Sequence, residues 1–169
     1  MANEYAKVIL YAYPHLLPLA DAVGVGAVNK AMLSFRARED ALVTAEAIAE
    51  ELAFKSRLLR LAEDVEGVLA SFGDEEMYLL EYKYFRRGKV LRERYAGYVM
   101  ACSERTYFRR QAAVLHKFCC LLAARGWTER AYAEAFGGFA PFARVLDAIL
   151  SGRESAVTAK RKAGRGASA

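Results

Sequence analysis

The chain has 169 residues, 55% hydrophobic and 27% charged, with a formal net charge of +5. That length can bury a core without disulfides or metals, and the apolar content excludes global disorder. Three cysteines, two of them adjacent, no CxxC and only His15 and His116 leave no ligand set for zinc, and no metal or other cofactor is expected. No run is read as the roughly 20 uncharged apolar residues of a membrane span. The short apolar run Val8–Tyr13 ends at Pro14 without a basic leader, so the expectation is a cytoplasmic, nucleoid-associated protein with no membrane contact.

Charge is unevenly distributed. Residues 1–73 carry 7 Lys and Arg against 10 Asp and Glu, residues 74–126 carry 11 against 6, and residues 127–169 carry 7 against 4. Basic character therefore begins at mid-chain, and charge of this kind speaks to partners rather than to fold. A basic middle and tail behind an acidic front suggests a face that meets a polyanion.

An all-α fold is expected. Ala, Leu, Glu and Arg are abundant, prolines are few, and no alternating strand pattern or Asn-Gly hairpin signal occurs. A short helix is predicted over 4–12, stopped near Pro14 because the residue before proline leaves the α region. Residues 14–29, with Pro18, Gly24 and Gly26, read as a loop or a broken helix. The segment 40–72 is the longest periodic one: Phe54, Leu58, Leu61, Val65, Val68 and Phe72 step by four and three along one helix face. Such a stripe needs a partner helix, either in the same chain, the commoner use, or across a homodimer through residues 54–72.

Gly73 ends that helix and Asp74 is the expected cap of the next, with Glu75 and Glu76 favourable in its first turn. Helices are then predicted over 74–86, 89–96 and 103–125, the last closed by Gly126. A further helix covers about 128–136, and one from Pro141 runs to about Leu150. The domain reading is an N-terminal helical module (1–72), a helix-turn-helix region (74–126), a C-terminal helical extension (127–150) and a disordered basic tail (151–169).

Three helices, the second short, with a turn before Ser103-Glu104-Arg105-Thr106, give the outline of a helix-turn-helix. Ser103 is the expected N-cap. On a helical wheel, Phe108, Gln111, Ala112, Leu115, Phe118, Cys119 and Leu122 fall within about 80° of Phe108 and read as the core face. Thr106, Arg110, Ala113 and Lys117 fall opposite, flanked by Arg109 and Tyr107. Arginine can grip guanine in fork geometry and threonine can touch a base edge. Arg105, Thr106, Arg109 and Arg110 are therefore candidates for the groove. Lys117, Arg86, Arg87 and Lys89 are candidates for phosphates, which position without reading sequence. Arg92 and Arg94 extend this basic stretch. A basic outward face is also what a merely solvated helix presents. Tyr78, Tyr82, Tyr84, Tyr95 and Tyr98 read as core and boundary packing.

The runs Leu79-Leu80-Glu81-Tyr82-Lys83-Tyr84-Phe85 and Cys102-Ser103-Glu104-Arg105-Thr106-Tyr107-Phe108-Arg109-Arg110-Gln111 resemble region 4 of bacterial sigma factors, which reads the −35 promoter element. They are still more similar to the ArpU-like, phage-type late-gene activators of Firmicutes, whose recognition helix opens Ser-x-Arg-Thr-Tyr-x-Arg. Ser103, Arg105, Thr106, Tyr107 and Arg109 match that opening. The resemblance covers residues 74–125. It implies a transcriptional regulator binding double-stranded DNA, rather than a complete sigma factor, because nothing before residue 74 resembles a promoter-melting region. The turn Gly97–Cys102 departs from the compact Leu-Gly-x-Ser form, which leaves the register of the second helix open.

Other chemistry finds little support. Gly24-Val25-Gly26 lacks the third glycine and flanking strand of a dinucleotide site. The neighbouring acids Glu50-Glu51 and Glu63-Asp64 diverge on a helix. No catalytic set is present in the pattern, and a non-enzyme is expected. The second reading is a helical protein–protein adaptor without DNA binding, holding RNA polymerase or another regulator.

Overall fold

A computed structural model describes residues 4–37, 41–98 and 100–165, with side chains described for 4–33, 41–98 and 100–152. Among the described residues the fold is all-α, without strands. In chain order it comprises α1 (Glu4–Ala12), a 3-10 turn (Tyr13–His15), α2 (Leu16–Ala37), α3 (Ala41–Leu69), α4 (Asp74–Leu80) continuing into a π-helical turn (Glu81–Phe85), α5 (Gly88–Arg94), α6 (Glu104–Ala124), α7 (Glu129–Phe136) and α8 (Ala140–Arg165).

The short α1 is the hub. Tyr5, Ala6, Val8, Ile9, Leu10 and Ala12 are all buried, and a helix apolar nearly all round has to be enclosed by others. It packs against α8, the π turn and α6. One continuous core draws residues from both sides of the boundary expected at Gly73, from every helix except α5. The stripe of α3 goes into this core. Leu58, Leu61 and Val65 are fully buried, Val68 and Phe72 nearly so, and Phe54 packs against Phe136 and Phe139. Because the same chain covers it, the stripe at 54–72 is not available as a seam between two copies.

Residues 14–29 correct the expectation of a loop or broken helix. After one 3-10 turn the chain is continuously helical from Leu16. Pro18 stands in the first turn of α2, where no intrahelical N–H donor is needed. Gly24 lies beneath Lys55 of α3, whose Nζ would be 2.7 Å from any Cβ placed there. Small residues at Ala20, Gly24 and Ala27 let α2 lie close along α3 as an antiparallel hairpin. By length and composition the run Glu4–Leu33 would suffice to cross a membrane, contrary to the sequence reading, although a third of its most apolar window is buried inside the fold.

The end of α6 follows the expected Gly126 stop. Gly126 has φ +92°, its N–H donates to the Ala123 carbonyl at 2.9 Å, and the Trp127 N–H donates to the Leu122 carbonyl at 3.2 Å. The turn delivers Trp127 into an aromatic group with Phe136, Tyr132 and Phe142. The Trp127 indole N–H donates to Asp64 Oδ2 at 2.8 Å, fastening this group to α3. The backbone of α8 then continues as helix through the segment expected to be disordered, as far as Arg165, and residues 166–169 lie outside the described residues.

Candidate nucleic-acid interface

Ser103 caps α6 as expected. Its Oγ accepts from the Thr106 N–H at 3.3 Å and lies 3.0 Å from Thr106 Oγ1. Thr106 is therefore half-buried and already engaged with its own cap.

The buried face of α6 is rotated from the one centred on Phe108. Val114, Leu115, Phe118, Cys119 and Leu122 are buried, and Gln111 is half-buried, donating to the Tyr107 hydroxyl at 2.9 Å. Phe108 is 53% exposed, a correction to its placement at the core centre. Ala112 is exposed too. The difference arises because the buried residues of α6 lie in its C-terminal half, from Val114 to Leu122, whereas a wheel weights all its turns alike.

The cations separate into two groups. Arg105 and Arg109 are exposed, one helical turn apart, with no acid in ion-pair contact among the described residues. The others are engaged. Arg110 pairs with Glu75. Lys117 Nζ meets Glu76 Oε2 at 2.7 Å, donates to the Ser71 carbonyl at 3.3 Å and stands 4.4 Å from the centre of the Phe72 ring. Arg94 Nη2 meets Asp74 Oδ1 at 2.6 Å. All three acids of the first turn of α4 thus each hold one cation. The N-cap is Gly73 rather than the expected Asp74, and the three acids bridge to α5 and α6.

Arg87 is also committed. Glu81 is only 1% exposed, and Arg87 is its partner through both guanidinium and carboxylate arms, with Nε to Oε2 at 3.1 Å. That hydrogen bond, opposed by burial, raises the pKa of Arg87. Arg87 and Lys117, expected on phosphates, thus each hold an acid that would lose its partner if the cation turned away. Lys89 is exposed, 4.0 Å from Glu93. Arg86 is exposed at φ +51°, where a five-residue backbone bond from its N–H to the Glu81 carbonyl at 2.7 Å ends the π turn. Its Nε donates to the Lys83 carbonyl at 3.4 Å.

Electrostatics at the α4–α6 seam are set by Glu76. Burial would raise its pKa, but the hydrogen bond from Lys117, the Gly73 amide at 2.9 Å and the charge of Lys117 together hold it below the usual glutamate value.

The tyrosines divide as well. Tyr84 and Tyr95 are buried, as the packing reading expects, whereas Tyr82 and Tyr98 are 56% and 42% exposed beside Tyr78. Comparison with protein-family models, with curated proteins and with solved structures finds no match for the chain.

Proposed function

We propose that the protein is a non-enzymatic transcriptional regulator that meets double-stranded DNA with the N-terminal half of α6. The single observation that supports this is the exposed pair Arg105 and Arg109, one turn apart at the start of a capped helix and free of ion pairs among the described residues. With exposed Ala112 and Ala113 just beyond, a groove wall can come close to the helix. In this reading Arg105 and Arg109 address base edges, and Arg86 and Lys89 address phosphates. Arg110 joins them by exchanging the Glu75 carboxylate for a phosphate. The sequence resemblance to sigma-factor region 4 and the ArpU-like activators points the same way, with the helix-turn-helix formed by α4, α5 and α6.

The test is anisotropy titration of mixed-sequence duplexes across a salt series. Arg105→Ala with Arg109→Ala is expected to weaken binding at least about tenfold and to flatten the salt slope by about two counterions. Lys160→Gln, Arg161→Gln and Lys162→Gln together control for binding by the basic C-terminal segment. Equal affinity of the double variant and the wild type would remove this helix from the interface.

The adaptor reading is favoured by a different observation: Arg87, Arg94, Arg110 and Lys117 already have acid partners, which is how a solvated helical surface balances itself. Co-purification with RNA polymerase or another regulator, with no retention of duplex, would select it.

A further inference from the structure

The α2–α3 hairpin carries a second surface unrelated to the basic face. On α2, Leu17, Val25, Val28 and Met32 fall within about 80° of one another on the outward side, each 58–60% exposed. On α3, Leu52 and Leu59 stand seven residues apart at 48% and 39% exposure. The two sets share one side of the hairpin: Leu17 and Leu59 line one depression, and Asp21, within the α2 row, meets Lys55 of α3 at 3.7 Å.

We propose that this face is a self-association surface, on which two copies of the chain pack their α2–α3 hairpins about a two-fold axis as a four-helix bundle. Area is the first argument. Six side chains leaving roughly 100 Å² each expose on the order of 600 Å², the upper end of the largest patch a typical monomer leaves. Doubled, this reaches roughly 1,200 Å², the lower end of stable interfaces. Charge is the second argument. Asp21 and Lys55 neutralise each other within one copy, so this pair adds no net charge to the face. Spacing is the third. Val25 to Met32 and Leu52 to Leu59 are both seven-residue intervals, the repeat that keeps a seam facing a partner helix.

The experiment is light-scattering chromatography and sedimentation of the full chain from about 1 to about 100 μM. The wild type is expected to approach twice the 18.8 kDa chain mass at the upper end. Val28→Glu with Leu52→Glu, and separately Val25→Lys with Met32→Lys, are expected to be monomeric, with helical circular dichroism and Trp127 emission unchanged. Association that persists in both folded pairs overturns the proposal. So does a wild type that stays monomeric throughout, or one that is monomeric and binds phosphatidylglycerol vesicles that the variants do not bind. None of these outcomes depends on nucleic-acid binding.

Discussion

Lys117 of α6 and Glu76 of α4 meet at 2.7 Å, and the same ammonium lies over the Phe72 ring between the two helices. A side chain that looked on the wheel like part of an outward cationic stripe is instead a clamp. Lys117→Met is expected to destabilise the protein by about 1 kcal/mol, since the pair is partly solvated, and to leave duplex affinity unchanged. Urea unfolding beside an anisotropy titration separates the two readouts.

The same pair has an acid limit. The pKa of Glu76 is lowered in the folded state, so its contribution is fully present above the ordinary glutamate value of 4.5 and is lost as pH falls through the depressed folded value. Stability of the wild type is expected to decline over that range. In Lys117→Met the decline should be shallower, because the depression then rests on the Gly73 amide alone. Parallel urea titrations at pH 3, 4 and 6 check this.

Arg87 and Glu81 predict a larger effect. Arg87→Ala leaves the 1% exposed carboxylate without its partner and is expected to cost about 3 kcal/mol. Replacing both, as Arg87→Met with Glu81→Leu, should recover most of that loss, because the buried charge goes too. Thermal melts of the single and double variants decide it; equal losses in both would show that packing, not charge, is at stake.

Trp127 and Asp64 give a test with its own reporter. Trp127 is the single tryptophan, and its indole N–H donates to Asp64 at 2.8 Å while the ring is 6% exposed. Asp64→Ala is expected to destabilise by about 1–2 kcal/mol and to shift the emission of Trp127 as its N–H loses its acceptor. Arg60 and Arg125, which also contact Asp64, should tolerate alanine with smaller losses.

Alkaline pH probes the hub. Burial pushes Tyr5, Tyr84 and Tyr132 up to about 12 from an ordinary 10. A raised folded-state pKa means these groups contribute fully below pH 10 and lose that contribution as pH rises toward 12. Unfolding by base is therefore expected within that interval, read by circular dichroism alongside tyrosinate absorbance at matched points. Tyrosinate appearing well before helix loss would show that these rings are open to solvent.

Much of the fold was legible from pattern. The α3 stripe, the Ser103 cap, the Gly126 stop and the order of helices after Gly73 all rest on local rules, namely periodicity, capping and the left-handed tolerance of glycine. Less of the candidate site was legible. Ser103 and the two free arginines could be named from the opening of α6. That Lys117, Arg110 and Arg87 would be drawn to Glu76, Glu75 and Glu81 could not, because two of these pairs span more than thirty residues of sequence. Acids at 74–76 have a sufficient local explanation in the helix N-terminus, and that explanation masked their second role.

Phe108 and α2 show the same division. Periodicity reports that a helix has an apolar side; the direction of that side turn by turn depends on where neighbours cross it, and the buried residues of α6 begin only at Val114. Likewise, Pro18, Gly24 and Gly26 in residues 14–29 suggested a loop or a broken helix, and contact with α3 accompanies a continuous helix from Leu16 with Gly24 sheltered under Lys55. Helical character, termini and charge asymmetry are properties of short stretches and follow from the amino acids themselves. Which cations remain free for a polyanion, and which apolar side chains remain for another copy, depend on long-range proximity, because an ion pair or a covered face exists only once distant segments have been packed together.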